Sequence, residues 1–319
     1  MAAVQPGPVV TLDVDGHLVE SSKASALPTY TGFRGYQPLL VQWAETGLVL
    51  ADEFRDGHVP ASQKIRALVD EAVASLPARA AEDPWQIQVR SDSAAYEYDN
   101  LDHWDEQHWR FAVSADMSPS LKRAIEARLP EDWTFWTEER RGVIREWAEV
   151  PYVPSRPNVK KDDPIFRYVA IRVRTPQGVL FGDGSTVKHF AVVTNDWETD
   201  GQALLTWQRG TSGTIELVND VLKNELAAGV YPSDKFGANA AWLRLQVLTH
   251  NLLELLKATA LDPEYRTARP KRLRFAIFTQ FGRVVHHARS QFVRLCTRAL
   301  EALVGPGLGR LRGCVWAGP

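Results

Sequence analysis

The chain has 319 residues, 45% hydrophobic and 24% charged, with 37 Lys and Arg against 39 Asp and Glu for a net charge of -2. That composition is ordinary for a globular protein and allows one large domain or two smaller ones. The 2 cysteines, Cys296 and Cys314, exclude a disulfide framework or a four-ligand zinc site. No basic-then-apolar leader or bilayer-length apolar run is visible, so a soluble cytoplasmic protein with no membrane partner is expected.

Val9 to Glu20 reads as a strand, because branched residues at 9, 10, 14 and 19 favour extended backbone. Asp13 and Asp15 lie two apart and so share one face. If the strand is buried, these carboxylates need a counter-charge or a metal ion, since an isolated buried ion costs several kcal/mol. The alternative is an edge strand whose acids face water. A polar, turn-rich stretch, Ser21 to Pro38, leads to two further strands, Leu39 to Trp43 and Gly47 to Phe54, joined as a hairpin. Ile65, Leu68, Val69, Ala72, Val73 and Leu76 recur at helical spacing until Pro77, and Ile87 to Asp92 is another alternating strand that ends on an acid.

Three strands, a helix and a fourth strand form the opening of a ribonuclease-H-like domain, in which the first and fourth strands lie side by side. Then come a polar segment holding Asp99, Asp102, His103, Asp105 and His108, a strand from Phe111 to Ala115, and a helix opened by Ser118-Pro119. The Asp/His cluster could ligate a metal, but a solvated acidic helix explains it as well. From Trp133 to Asp196 the texture is aromatic, Pro-rich and Gly-rich around the alternating runs Phe166 to Arg174 and His189 to Thr194, which reads as a small β-rich insertion. Tryptophans clustered in this way are ordinarily core.

Ile215, Val218, Leu222 and Leu226 then form the apolar stripe of a helix stopped by Gly229. Glu216 and Lys223, seven residues apart, return to nearly one face with a rise of roughly 10 Å. Ala238 to Leu261 is a second helix, apolar enough to lie against a sheet. Beyond it Arg266, Arg269, Lys271, Arg272, Arg274, Arg283, Arg289, Arg294, Arg298, Arg310 and Arg312 face the single acid Glu301, a segment suited to a polyanion or simply a soluble basic tail. His286-His287 falls within this stretch, read as an Arg-rich helix. Gly305 to Gly309 lacks the strand and Lys of a phosphate loop.

Thr11-Leu12-Asp13-Val14-Asp15, Gly32 to Leu39, Val89 to Ser93, Val193-Thr194-Asn195, the Gly213 to Gly229 helix, Ala238 to Trp242 and Asn251-Leu252-Leu253 together resemble the DDE transposases of bacterial insertion sequences, specifically the IS1380 group, over Val9 to Arg298. The resemblance implies an α/β fold: a ribonuclease-H-like mixed sheet flanked by helices, with a β-rich insertion and a basic helical C-terminal tail. The corresponding divisions are 1–130 and 201–262 for the two parts of the catalytic core, 131–200 for the insertion and 263–319 for the tail.

It implies metal-dependent DNA nicking and strand transfer at element ends, with two Mg²⁺ or Mn²⁺ ions as cofactor, double-stranded DNA as partner and a homodimer on DNA. The family's three acids fall on Asp15, Asp92 and Glu216, which would be both catalytic and metal-binding, and the Lys of its Tyr-Arg-Glu-Lys signature falls on Lys223. Its Tyr and Arg fall on Arg209 and Ser212, and His17 replaces the usual Thr. Arg209, Lys223, Trp133, Trp136, Lys271, Arg272 and Arg274 are the expected DNA contacts. The family carries a segment before the first acidic strand that this chain is expected to lack, so the alternatives are a catalytically silent DNA-binding remnant and a nuclease of the same fold.

Individual residues have plainer readings too. Asp15 could face solvent with Asp13 taking its metal role, Asp92 could cap a strand end, Glu216 could serve only the helix dipole, and Lys223 could sit on a solvated face.

Overall fold

The computed structural model describes residues 7–139, 142–155, 165–176, 179–279, 282–287 and 290–295, so Arg289, Arg298, Arg310, Arg312, Cys296, Cys314 and the Gly305 to Gly309 run lie outside the described residues. In chain order come β1 (Val9–Gly16), the short β2 (Val19–Glu20), β3 (Leu27–Pro28) and β4 (Arg34–Tyr36), then β5 (Leu39–Trp43), β6 (Leu48–Glu53), α1 (Ile65–Ala74) and β7 (Gln86–Ser91). These are followed by α2 (Tyr98–Glu106), β8 (Arg110–Ser114), α3 (Pro119–Glu126), β9 (Thr134–Glu139), β10 (Val143–Val150), β11 (Arg167–Arg174) and β12 (Val187–Thr194). Last come α4 (Gly201–Gln208), α5 (Ile215–Asn224), α6 (Phe236–Thr259), α7 (Pro270–Leu273), β13 (Gly282–His287) and β14 (Ser290–Leu295).

One nine-stranded sheet runs β6-β5-β1-β7-β8-β12-β11-β10-β9. β1 is antiparallel to β5 and parallel to β7, and β7 is parallel to β8. This is the expected ribonuclease-H-like order, with β1 interior rather than an edge strand. The strands of the β-rich segment join the same sheet through β12, which pairs antiparallel with β8. β9 and β10, which the sequence does not announce, complete that side.

Alternation along β1 sends Val10, Leu12 and Val14 to one face, where they pack with Leu68, Val69 and Ala72 of α1, Leu101 and Trp104 of α2, and Leu121 and Ile125 of α3. On the other face Leu40 and Val49 meet Ile215, Val218 and Leu222 of α5 and Leu243 and Val247 of α6. Further along that sheet Ala112, Val169, Ile171 and Val192 meet Leu204 and Leu205 of α4. Each fully buried Val or Leu contributes roughly 1.5–3 kcal/mol, so the two covered faces hold the sheet and fix its strand ends. Asn251 of α6 accepts from Val49 N–H and donates to Val49 C=O, at 2.9 and 2.8 Å, covering backbone groups that the edge strand β6 would otherwise present.

Four sequence expectations are corrected. β1 ends at Gly16, and Val19–Glu20 belongs to a separate three-stranded sheet, β2-β4-β3, built inside the segment read as turns. Gly35 is required there, because a Cβ would lie 2.2 Å from Val19 O. α5 ends at Asn224, five residues before Gly229, where Glu225 leaves helical geometry and Ala227 turns left-handed at φ 61°. His286 and His287 lie in β13, not in a helix, so the described part of the tail includes the β13-β14 hairpin.

Candidate active site

The last β1-β7 register pair is Val14 with Ser91. One residue on, Asp15 and Asp92 therefore stand at the same ends of two neighbouring parallel strands, whose backbones run about 4.8 Å apart. α5 crosses this end and presents Glu216, Asn219 and Lys223 along one side at three- and four-residue spacing.

The two acids of β1 have different fates. Asp13 is fully buried and forms a two-pronged pair with Arg90, whose Nε and Nη2 lie 2.7 and 2.8 Å from its two oxygens, and Thr214 Oγ1 donates to it as well. Arg90 also donates to Trp207 O, and a Cβ at Gly210 would lie 2.4 Å from the Arg90 guanidinium and force it to shift from its place on Asp13. Asp13 is thus occupied by a structural ion pair and is not the substitute metal ligand. Among the described residues no cation pairs with Asp15. It accepts from Asn219 Nδ2 at 2.7 Å, and its pKa is pushed up to about 7 by burial, then by the charges of Asp92 and Glu216.

Asp92 is exposed and caps the turn at Ser93–Ala95 by accepting from Ala94 N–H at 3.0 Å. Its carboxyl is also raised, by burial of its inner side and by the charge of Asp116, an acid just beyond β8 that the sequence reading missed. Glu216, in the first turn of α5, is exposed, and its charge is felt by both Asp15 and Arg209. The charges of Asp92 and Glu216 are thus each felt by Asp15, although among the described residues no three His, Cys, Asp or Glu side chains stand close enough to hold an ion as they are. The donor chemistry fits Mg²⁺ or Mn²⁺: hard carboxylate oxygens, with two acids repelling Asp15 and no counter-charge on it among the described residues.

Lys223 is exposed at the far end of the same helix, and burial, then the Lys223 charge, holds His17 down at a pKa of about 4 against the Asn219 side chain beside it. Arg209 is exposed, with Trp136 beneath it at 5.6 Å and Glu139 and Arg145 nearby. Trp133 differs from Trp136. It is buried, with the Arg172 guanidinium 4.2 Å from its ring and His189 at 5.8 Å, so the expectation that it stacks on DNA is corrected to a packing role. Lys271, Arg272 and Arg274 are exposed on a segment tied to the end of α5 by Arg269, which pairs with both Asp220 and Glu225.

Of the residues that sequence reasoning singled out, several are structural. His103 pairs with Asp70 at 2.8 Å, and Asp105 accepts from Asn195 at 2.9 Å, so the Asp/His segment behaves as a solvated helix. Asn195 also accepts from Phe111 N–H, and Asn239 donates to Tyr36 Oη and Ser233 O. Asn219 was missed altogether, and its position three residues after Glu216 was the available signal.

No curated protein matches the sequence. Among solved structures, a cryo-EM structure of a piggyBac transposase synaptic complex with hairpin DNA superposes with a TM-score of 0.47 at 9% identity, covering 79% of this chain and 47% of that one. The chain thus spans about half the length of that protein. The family model for the transposase DDE domain, group 1, matches residues 3–304. With that match over nearly its whole length, the chain belongs to the group 1 DDE-domain transposases.

Proposed function

We propose that the protein cuts and joins DNA at the ends of an insertion sequence of the IS1380 group, by metal-dependent strand nicking followed by strand transfer, as a cytoplasmic homodimer on DNA. The observation that supports this most is the placement of Asp15 and Asp92 at the same ends of the neighbouring parallel strands β1 and β7, with α5 held against Asp15 by the Asn219 bond; in keeping with it, the Asp15 pKa is pushed up to about 7 by burial together with the charges of Asp92 and Glu216. Carboxylates set against one another without a cation are strained in charge, and a bound divalent ion relieves that strain.

Asp15, Asp92 and Glu216 would hold two Mg²⁺ or Mn²⁺ ions, which supply activation of water or a 3′-hydroxyl and charge relief on the leaving oxygen. Asn219 holds the Asp15 carboxylate in one orientation through its 2.7 Å bond. Lys223 serves a phosphate as a compact point charge, and Arg209, backed by Trp136, grips another with its planar fork. Lys271, Arg272 and Arg274 add sequence-independent contact to the DNA backbone. The chain divisions at 130, 200 and 262 belong to the same reading.

The test is a nicking and joining assay on duplex DNA carrying candidate element ends, with Mg²⁺ or Mn²⁺. Wild type should nick and join while Asp92→Ala binds DNA without cutting. Equal inertness of the two, with DNA binding retained, would favour the silent remnant. Nicking without joining would favour a simple nuclease.

A further inference from the structure

α6 carries two apolar faces. One, with Leu243, Val247 and the buried His250, packs onto the sheet. The other faces water: Leu245, Leu248, Leu252 and Leu255 are 55, 53, 57 and 46% exposed. Their spacing is three, four, three, which is the a/d repeat of a helix that packs along another helix. The exposed small residues Ala238, Ala241 and Thr259 continue the same repeat at either end, so the stripe runs along nearly all of a helix about 36 Å long.

We infer that this stripe is a self-association surface, on which a second copy of the chain lays its own α6 antiparallel about a two-fold axis. The spacing reads identically in both directions, so a half-turn about the middle of the stripe places Leu248 against Leu252 of the partner copy and Leu245 against Leu255. A self-complementary patch of this kind is what an isologous two-fold contact needs. The flanking positions agree. Arg244, Thr249, Asn251, Leu256 and Ala258 border the stripe, and only Arg244 is charged, already paired with Asp52 at 2.9 Å. In the antiparallel register Arg244 meets Leu256 of the second copy, so no like charges oppose each other.

The same scarcity of cations fits neither a DNA backbone nor an anionic membrane, which select a basic rim. Two such helices bury on the order of 1,000 Å² together, at the low end of specific interfaces. This deepens the proposed homodimer by naming its surface. It is tested without DNA or metal, so failure of catalysis and failure of pairing are separate results.

Sedimentation equilibrium of the full chain over about 1–100 µM, without DNA, should show a monomer–dimer equilibrium. Leu248→Glu with Leu252→Glu should weaken it at least tenfold while leaving the circular dichroism spectrum and melting profile of the fold in place, because both side chains already face water. In a Cys296→Ser, Cys314→Ser background, Leu245→Cys and Leu255→Cys variants should cross-link when mixed and not singly, since only the mixed pair meets at disulfide distance in the antiparallel arrangement. A wild type that stays monomeric throughout, a dimer indifferent to the double Glu variant, or cross-linking of Leu245→Cys to itself would each overturn the inference.

Discussion

Replacing Asp15 by Asn should stabilise the metal-free protein in a pH-dependent way. The folded carboxyl titrates at about 7, against the usual 3.8. From about pH 4 upward the unfolded chain releases this proton while the folded one retains it. Stability fully present below pH 4 is therefore lost progressively as pH rises through 7, and is level above it. A gap of roughly 3 units corresponds to about 4 kcal/mol. Because the carboxyl is only part-buried, solvent screening reduces the expected gain to roughly 2 kcal/mol at pH 8 and under about 1 kcal/mol at pH 5.

The amide carbonyl of the replacement still accepts from Asn219, so the comparison isolates the charge. Urea unfolding in EDTA, followed by tryptophan fluorescence at the two pH values, reads the difference. A loss of stability at pH 8, or an identical change at both, would refute the electrostatic account of the site.

The remaining predictions concern its supports. Arg90→Met leaves Asp13 buried without its cation and should cost about 3–5 kcal/mol in the same unfolding assay, whereas a change under about 1 kcal/mol would mean that the pair contributes little. Leu12→Ala, in the packed centre of β1, should cost about 2–5 kcal/mol by urea titration. Gly35→Ala should fail to yield folded protein, judged by soluble expression and circular dichroism, because its Cβ cannot coexist with Val19 O. Lys271→Ala, Arg272→Ala and Arg274→Ala together should lower the slope of log affinity for duplex DNA against log salt by about 2–3; an unchanged slope would remove the tail from the DNA surface.

The order of the first five core elements was legible because each has a clean period: two along β1 and β7, 3.6 along α1. That order puts the ends of β1 and β7 together, but it left Asp13 and Asp15 open, and the choice of Asp15 with Asp92 came from the resemblance to the DDE transposases. What escaped has physical reasons. β9 reads Thr134-Phe135-Trp136-Thr137-Glu138-Glu139, lying at the edge of the sheet with little burial, so no alternation marks it.

β2 to β4 are two or three residues long, too short for any period. The end of α5 was misplaced because Leu226 continues the apolar stripe after the backbone has left the helix. The Asp13–Arg90 pair spans 77 residues and is fixed by strand register, which composition cannot reveal. Trp133 and Trp136 look alike in sequence, and the structure separates them by burying Trp133 beneath Arg172 and His189 while Trp136 lies half-buried under Arg209.

The central claim is that Asp15, Asp92 and Glu216 act together on divalent ions. Mn²⁺ titration followed by electron paramagnetic resonance, with a DNA duplex bound, tests it most directly. Wild type should take up two ions per site, and Asp15→Asn, Asp92→Asn and Glu216→Gln should each weaken or abolish uptake of at least one. Equal stoichiometry and affinity in all four proteins would contradict the account.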